Sequence, residues 1–472
     1  MSYQVPQHIS KDKIFIVNRS EIEGRLEPEF YRPSLSSLEN KIRSLATHKL
    51  RDYAISLAGG ATPKKTEAES FYTDSENGIP FLRVQNLQTN GELSLAGCIY
   101  INEETHNGLL ARSQVSEGDL LVKITGVGRM AIASVAPPGF VGNTNQHMVV
   151  IKTGDASLSK YLARYLNLDI IEKIASRHST GGTRPALDYP SLKSLPIIEG
   201  IDFSPIDNAI KQKNDNECKA QQLLDSIDTY LLNELGISLQ EHHTGLKDRM
   251  FVVNFCEANG ERLDPMFYTS QFRNIVAKLH ENTVCKRLGQ IVHFSTEIWN
   301  QKDYYEKEFP YIEIGAINIP HGKIEDVSFI PIEQAPSRAK VIVRTGDIII
   351  STTRPDRGAI IKITENENLY IASTGFSVIR NVDNNINPDY LLAVLRHRLI
   401  LMQMRQRSTG GNYPAITQEE LSKIIIPILS LSKQLEIVDH ISAIRKQAKV
   451  LQEEGIAILE QAKKEVERLI IG

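Results

Sequence analysis

The stretch Ser408-Thr409-Gly410-Gly411-Asn412-Tyr413-Pro414-Ala415-Ile416, followed by Ile424-Ile425-Ile426-Pro427-Ile428, decides how this chain is read, because it occurs twice. Its counterpart is Ser179-Thr180-Gly181-Gly182-Thr183-Arg184-Pro185-Ala186-Leu187, followed by Leu195-Pro196-Ile197-Ile198. The separation, 408 − 179 = 229, is close to half of 472 residues. Working outward, Arg25-Leu26-Glu27-Pro28-Glu29-Phe30-Tyr31 is answered by Arg262-Leu263-Asp264-Pro265-Met266-Phe267-Tyr268 at an offset of 237. Ile79-Pro80-Phe81-Leu82-Arg83-Val84 and Phe309-Pro310-Tyr311-Ile312-Glu313-Ile314 lie 230 apart. Gly118-Asp119-Leu120-Leu121-Val122 and Gly346-Asp347-Ile348-Ile349-Ile350 lie 228 apart. Four landmarks at nearly one offset imply a tandem duplication of a mixed α/β unit.

Within each copy the same order is expected. An extended lead-in (Ile14 to Asn18; Met250 to Asn254) precedes a short amphipathic helix carrying Leu35, Leu38, Ile42 and Leu45, or Phe272, Ile275, Val276 and Leu279. Strand patterns follow, with Gly-Asp marking a turn into a buried strand. Helical spacing then runs from Leu158 to Ser176 and from Pro388 to Arg407, and the Ser-Thr-Gly-Gly loop comes next. That loop reads as a helix-ending turn at the hand-over to a long helix. The long helices are expected at about Pro205 to Leu235 and Ser432 to Ile470, with Ser204 and Ser432 as N-caps. Their apolar residues recur at spacings of three and four, close to a heptad seam. A helix of thirty-odd residues is on the order of 45–55 Å long, too long to bury its seam on one small domain. The two are therefore expected to pack on each other, antiparallel. Gly236 to Asp248 suits a connector.

Composition narrows the function. With 41% hydrophobic and 24% charged residues the chain has an ordinary globular make-up. No apolar run approaches the roughly 20 residues of a membrane helix, and the polar first residues lack a signal-peptide core. Cys98, Cys218, Cys256 and Cys285 are scattered, which argues against zinc and disulfides and for a reducing cytoplasm. The net charge is −3, and residues 49–199 hold 15 basic against 15 acidic side chains, so any phosphate binding must be local.

Several motifs resolve into plain structure. Asn387-Pro388-Asp389-Tyr390 resembles an amino-methyltransferase motif but reads as an Asn-capped helix start, without an S-adenosylmethionine loop beside it. Gly126-Val127-Gly128-Arg129-Met130-Ala131 mimics a dinucleotide fingerprint, yet a strand rather than a helix follows it. Pro355-Asp356 with Lys362 lacks the second acidic residue of a nuclease site, and the histidines form no triad or metal motif.

The layout of a unit of about 150 residues, a long helix, and then both again resembles the specificity (S) subunit of type I restriction–modification enzymes. The residues that carry the resemblance are Gly59-Gly60-Ala61-Thr62-Pro63, the strand from Ile79, Gly118-Asp119-Leu120-Leu121, the duplicated Ser-Thr-Gly-Gly segments with Leu195-Pro196-Ile197 and Ile426-Pro427-Ile428, and Lys433-Gln434-Leu435-Glu436-Ile437-Val438. Two departures stand out. Thr296-Glu297-Ile298-Trp299 replaces the Gly-Gly turn in the second copy, and the first long helix lacks the Lys-Gln start.

The resemblance implies an α+β fold with two tandem target-recognition domains separated by two antiparallel coiled-coil helices about a pseudo-twofold axis. The expected divisions are a lead-in at 1–48, a first recognition domain at 49–200, a spacer helix at 201–237, a connector and second lead-in at 238–284, a second recognition domain at 285–429 and a second spacer helix at 430–472. It implies a non-catalytic, cytoplasmic subunit reading a split site on double-stranded DNA. Its partners would be two methyltransferase subunits and the restriction/translocase subunits, with S-adenosylmethionine, ATP and Mg bound by them and no cofactor in this chain. Base reading needs Arg, Asn and Gln on loops. The candidates are Arg83, Gln85, Asn86 and Arg129 in the first copy and Asn318, Arg354 and Arg357 in the second, with Arg129, Arg354 and Arg357 foremost because they follow the Gly-Asp strand. Lys64, Lys65 and Lys302 are candidate phosphate contacts. Because the two copies differ most in these loops, the target is expected to be asymmetric, with readers one or more ~10-bp turns apart. Two other readings are a coiled-coil assembly protein that does not touch DNA and a stand-alone DNA methyltransferase or nuclease.

Overall fold

A computed structural model describes the chain except residues 1–9, 11, 23, 64–67, 239–249, 255–261, 302, 321, 326 and 412. It is a mixed α+β protein that divides into two units, Met1–Cys218 with Leu451–Gly472, and Lys219–Val450.

In the first unit the central antiparallel sheet has the order Ser56–Gly59, Met148–Lys152, Leu120–Lys123, Ala133–Val135. Leu120, Leu121 and Val122 are all buried because both faces of this sheet are covered. Leu120, Val122, Val149 and Ile151 face a core built with the helices Ala156–Leu166 and Asp169–His178, while Leu121, Met148 and Val150 face a second core with Leu82, Val115 and Phe140. That is why the strand reads as a continuous apolar run rather than an alternating one. The second core lies toward a five-stranded sheet, in which Ile79–Leu82 runs parallel to Val141–Thr144.

The second unit repeats this connectivity. Its central sheet has the order Val292–Phe294, Phe376–Val382, Ile348–Ser351, Ile360–Lys362. Ile348 and Ile350 face one core, and Ile349 faces another with Ile361 and Val378. A four-stranded sheet again contains one parallel pair, Glu308–Ile312 with Ile371–Ser373. A two-stranded ladder closes each unit: His48–Lys49 with Pro196–Ile197, and Val284–Arg287 with Ile425–Ile428. The prolines of these ladders accept buried hydroxyls, Tyr165 Oη to the Pro196 carbonyl at 2.9 Å and Tyr390 Oη to the Pro427 carbonyl at 3.0 Å. Burial of each ring pushes its phenol pKa up.

Each predicted helical stretch before the Ser-Thr-Gly-Gly loop is two helices, Ala156–Leu166 and Asp169–His178, or Pro388–Leu395 and Arg398–Arg407. Leu168 and His397 break them in extended conformation. The second helix of each pair is then capped by a distant or buried group. The Glu467 carboxylate accepts the Asp169 and Ile170 N–H groups, and His397 Nδ1 accepts the Leu399 N–H at 3.3 Å. Asn387 caps Pro388–Leu395, accepting the Asp389 N–H at 2.8 Å, as its sequence implies.

The long helices span Ser204–Glu234 and Leu431–Ile471. Their caps differ from expectation: Asp202 Oδ1 accepts the Ser204 N–H, and Ser430 precedes the second helix, its carbonyl accepting the Gln434 N–H. Within the first unit, Asn216 Nδ2 donates to the Leu451 carbonyl at 3.3 Å, and Gly455 faces Lys213. Here a Cβ on Gly455 would come within 3.2 Å of Lys213 Cα, so glycine sets how closely the segments approach. Within the second unit, Lys433 bridges to Glu234 at 2.6 Å and the Tyr230 and His440 rings lie 4.1 Å apart. In both units the two segments pair with opposite chain direction. Most of the expected connector, Gly236 to Asp248, lies outside the described residues.

Candidate nucleic-acid interface

The duplicated Ser-Thr-Gly-Gly segment is a closed turn. Thr180 and Ala186 exchange two backbone hydrogen bonds of 2.8 Å, and Thr409 and Ala415 do the same. The preceding helix ends at an extended Ser179 or Ser408, not at a left-handed glycine. The glycines act one step later: Gly181 at φ +98° and Gly410 at φ +103° turn the chain tip. The reading as a helix stop at the hand-over to the long helix is therefore corrected, since a further short helix and strand intervene. Its structural attachment is to the loop after the Gly-Asp strand. Gly126 N–H donates to the Pro185 carbonyl at 3.0 Å and Leu187 N–H to Ile124 at 2.8 Å. In the second unit Arg354 N–H donates to Pro414 at 2.7 Å and Ile416 N–H to Thr352 at 2.8 Å. Each unit thus presents two loops held as one surface, with Arg184 at one tip and Tyr413 at the other, both exposed.

Behind this surface the Gly-Asp motif locks the sheet. Asp119 Oδ2 accepts the Ser116 N–H and the Lys152 ammonium, both at 2.8 Å. Asp347 accepts the Arg344 N–H at 2.8 Å and Arg380 Nε at 2.6 Å. Glu297, in the segment that replaces the Gly-Gly turn, binds the Arg344 and Arg380 guanidinium groups, and these hold its carboxyl at about 2. In the first unit Gly60 lies where a Cβ would sit 2.0 Å from the Thr144 carbonyl oxygen, so close backbone approach, more than a turn, requires glycine there.

The Arg-Leu-x-Pro-x-Phe-Tyr repeat clamps the other side of the closed turn. Arg25 Nη2 donates to the Ser179 carbonyl at 2.9 Å and Nη1 to His178 at 3.3 Å. Phe30 is buried with the Arg25 and Arg177 guanidinium carbons each 4.5 Å from its centroid. Arg177 also donates to the Phe30 carbonyl at 2.6 Å and pairs with Glu39. Burial raises the Glu39 pKa, but His178 and Arg43 outweigh it and bring the carboxyl to about 2. In the second unit Arg262 reaches toward the Gln406 and Ser408 carbonyls at 3.5 Å, and Phe267 lies between Arg262 and Arg407. The repeat signalled this clamp, but its partners lie about 150 residues away in sequence. A cleft of about 800 Å³ beside it carries Arg25, Arg32 and Lys173 together with Glu27, Glu29 and Glu172, so its charge is mixed.

The predicted base readers fare differently. Arg354 and Arg357 lie on the stitched loop, Arg357 exposed and Arg354 half-buried. Arg129 lies on the matching loop but turns inward, pairing with the Asp169 carboxylate and donating to the Asn167 carbonyl at 2.6 Å. Helix Asp169–His178 supplies this carboxylate, which loop position alone does not reveal. Asn86 also turns inward. It is fully buried, with Oδ1 accepting the Arg83 N–H at 2.8 Å and Nδ2 donating to Ser94 at 2.8 Å. Arg83 is half-buried and donates to the Gly97 carbonyl at 2.9 Å, and the exposed Gln85 reaches the same carbonyl at 3.5 Å. Asn318 is half-buried, 3.0 Å from Glu325. Lys64, Lys65 and Lys302 lie outside the described residues. Sequence reasoning missed Arg184 and Tyr413, although both stand inside the repeat immediately before its proline. Among the described residues no cluster of three His, Cys, Asp or Glu side chains could hold a metal ion, and no helix is long and apolar enough to cross a membrane.

On this architecture, residues 281–461 match the family described as the type I restriction modification DNA specificity domain. The chain is also 28% identical over 113 residues to the specificity subunit of the type I restriction enzyme HindI of Haemophilus influenzae, covering 24% of this chain and 25% of that protein. It is 24% identical over 204 residues to the MjaVIII specificity subunit of Methanocaldococcus jannaschii, covering 42% and 47%. The chain thus matches between a quarter and about half the length of these curated relatives. Among solved structures it is similar to a chain of a type I restriction–modification system studied for complex assembly and conformational transition, at 15% identity, TM-score 0.40, and coverage of 90% of this chain and 94% of that one. It is also similar to the S subunit from M. genitalium, at 14% identity, TM-score 0.34, and coverage of 89% and 95%. Over these stretches the chain is similar to type I specificity subunits.

Proposed function

We propose that this chain is the DNA-specificity subunit of a type I restriction–modification complex, non-catalytic itself, which reads a split and asymmetric site on double-stranded DNA. The observation that carries the reading is the specificity-domain match over residues 281–461, a range that contains the Arg354 and Tyr413 loops. Support comes from the first unit, where the same strand order holds an equivalent pair of loops with different side chains at their tips. In this reading residues 49–200 and 285–429 are the two recognition domains, related by a pseudo-twofold axis. Residues 201–237 and 430–472 are antiparallel spacer helices that set the gap between half-sites, and 1–48 and 238–284 are lead-ins. Arg354, Arg357, Arg83, Gln85 and Asn318 are the candidate DNA contacts of the described residues, with Lys64, Lys65 and Lys302 as phosphate contacts. Two methyltransferase subunits and the restriction/translocase subunits dock on the chain in the cytoplasm, and S-adenosylmethionine, ATP and Mg belong to them.

The test is a footprint of the assembled complex on DNA carrying its methylation site, with and without this chain. Protection of two separated half-sites that requires the chain is expected. Equal protection in its absence would sink the proposal.

A further inference from the structure

The second unit carries an arginine where backbone conformation favours glycine. Arg354 follows the buried strand Ile348–Ser351 and adopts φ +47°, ψ +53°. The matching residue in the first unit is Gly126, at φ +123°. The correspondence is fixed by hydrogen bonding, since each donates its N–H to the proline carbonyl of its own closed turn, Pro414 or Pro185. Left-handed backbone is strained for a side chain with a Cβ and unstrained for glycine. A loop needed only to hold its shape would be served better by the glycine that the first unit uses. Non-glycine residues held in such backbone cluster at functional sites, where the side chain has a use that outweighs its strain.

Its surroundings indicate the use. The Arg354 guanidinium carbon lies 4.4 Å from the centroid of the Tyr413 ring. Tyr413 is 71% exposed and sits on the turn that receives the Arg354 N–H. One hydrogen-bonded loop pair thus fixes both the backbone of the arginine and the ring under its head. Pro355 next in the chain is buried with its φ locked, and the Arg357 N–H returns to the Arg354 carbonyl at 3.1 Å. Cation–π contact engages the face of a guanidinium, and its N–H donors lie around the rim. Phosphates are well served by a mobile ammonium. A braced, planar fork instead suits the paired acceptors O6 and N7 of guanine in the major groove.

We infer that Arg354 braced on Tyr413 reads a guanine edge in the half-site recognised by the second unit, an inference that rests on the specificity-subunit reading above. The first unit carries Gly126 and Arg184 at these positions, so it reads its half-site with a different group. The probe is a set of duplexes in which each base pair of the methylation site is changed singly, measured for binding by the assembled complex. For the wild-type complex, discrimination against replacing one G·C pair should be about 5- to 150-fold, the range of a bidentate arginine contact. In Arg354→Gly and in Arg354→Lys, which keeps the charge, that discrimination should fall toward one while the other half-site is read normally. Tyr413→Phe should retain it and Tyr413→Ala should lose much of it. Because glycine relieves strain, Arg354→Gly should unfold no earlier than wild type, which separates lost reading from lost fold. Weakening of all duplexes equally, or no change in any, would overturn the inference while leaving the specificity reading intact. A wild-type complex with no preference among the duplexes would remove both.

Discussion

Replacing Phe30 with alanine tests the clamp that holds the lead-in against the closed turn. Phe30 is 4% exposed, with Arg25 and Arg177 each 4.5 Å from its ring and the Arg177 Nε bonded to its carbonyl. Deleting a buried phenylalanine side chain costs about 3–5 kcal/mol, and two cation–π contacts contribute roughly 0.5–1 kcal/mol each. The lead-in keeps its Arg25 bonds to His178 and Ser179 and the Glu39 pairs, so part of the segment stays docked. The expected loss is therefore at the low end of that sum, about 4 kcal/mol. In urea, with a slope of about 1–3 kcal/mol per molar, that moves the midpoint of the first unit's transition by 1 M or more at unchanged slope. Hydrogen exchange should quicken in the helix Pro33–Leu45 and at Ser179 and Thr180. Leu26→Ala, at a site 84% exposed in the same repeat, is the control and should change stability by less than about 0.5 kcal/mol. A loss under about 1 kcal/mol for Phe30→Ala, with exchange at the closed turn unaltered, would refute the clamp.

Other perturbations follow from the same structure. Asp347→Ala removes the acceptor for Arg344 N–H and Arg380 Nε in a site 1% exposed, and since Glu297 still holds Arg380, the loss should be about 2–4 kcal/mol by denaturant midpoint. A midpoint within error of wild type would discount the Gly-Asp lock. Burial lowers the His397 pKa below its ordinary 6.5, against the opposing pull of Asp228. A base depressed in the folded state stabilises above its unfolded pKa and loses that stability as pH falls toward the folded value. Wild type should therefore weaken below about pH 6.5, by at most about 1.4 kcal/mol per pH unit, and His397→Phe should show a flatter profile. Parallel profiles for the two proteins would contradict this. Gly455→Leu places a side chain where even a Cβ meets Lys213 Cα at 3.2 Å, and should cost about 1–3 kcal/mol in thermal or denaturant unfolding. A stabilised Gly455→Leu variant would mean the segments separate freely there.

How far the sequence reveals this molecule depends on whether each signal is local. The strands around Leu120 and Ile348 and the long helices announce themselves by runs and spacings that fit inside one element. Asn387 likewise caps a helix beginning at the next residue. The breaks at Leu168 and His397 escape notice because neither glycine nor proline marks them, and the groups that cap the new helices include Glu467, about 300 residues away. The candidate site shows the same limit. Loop position draws attention to Arg354 and Arg129 alike, but it does not say which way a side chain turns. Arg129 folds onto Asp169, a partner forty residues on, while Asn86 spends its amide on Arg83 and Ser94. Asn86 stands three residues after Arg83, the N-cap of the turn Val84–Asn86, and that capping pattern is local and legible in sequence. The stitching of the closed turn to the loop after the Gly-Asp strand is not legible there, because a backbone hydrogen bond from Arg354 to Pro414 leaves no mark on residue type.

The central proposal is that the chain holds two separable readers of DNA sequence. The most direct measurement replaces residues 49–199 with the matching domain of another type I specificity subunit, expresses the complete system, and sequences the methylated sites of the host genome. The expected result is a new sequence in one half of the site, with the other half and the gap between them retained. A change in both halves, or an unaltered site, would contradict it.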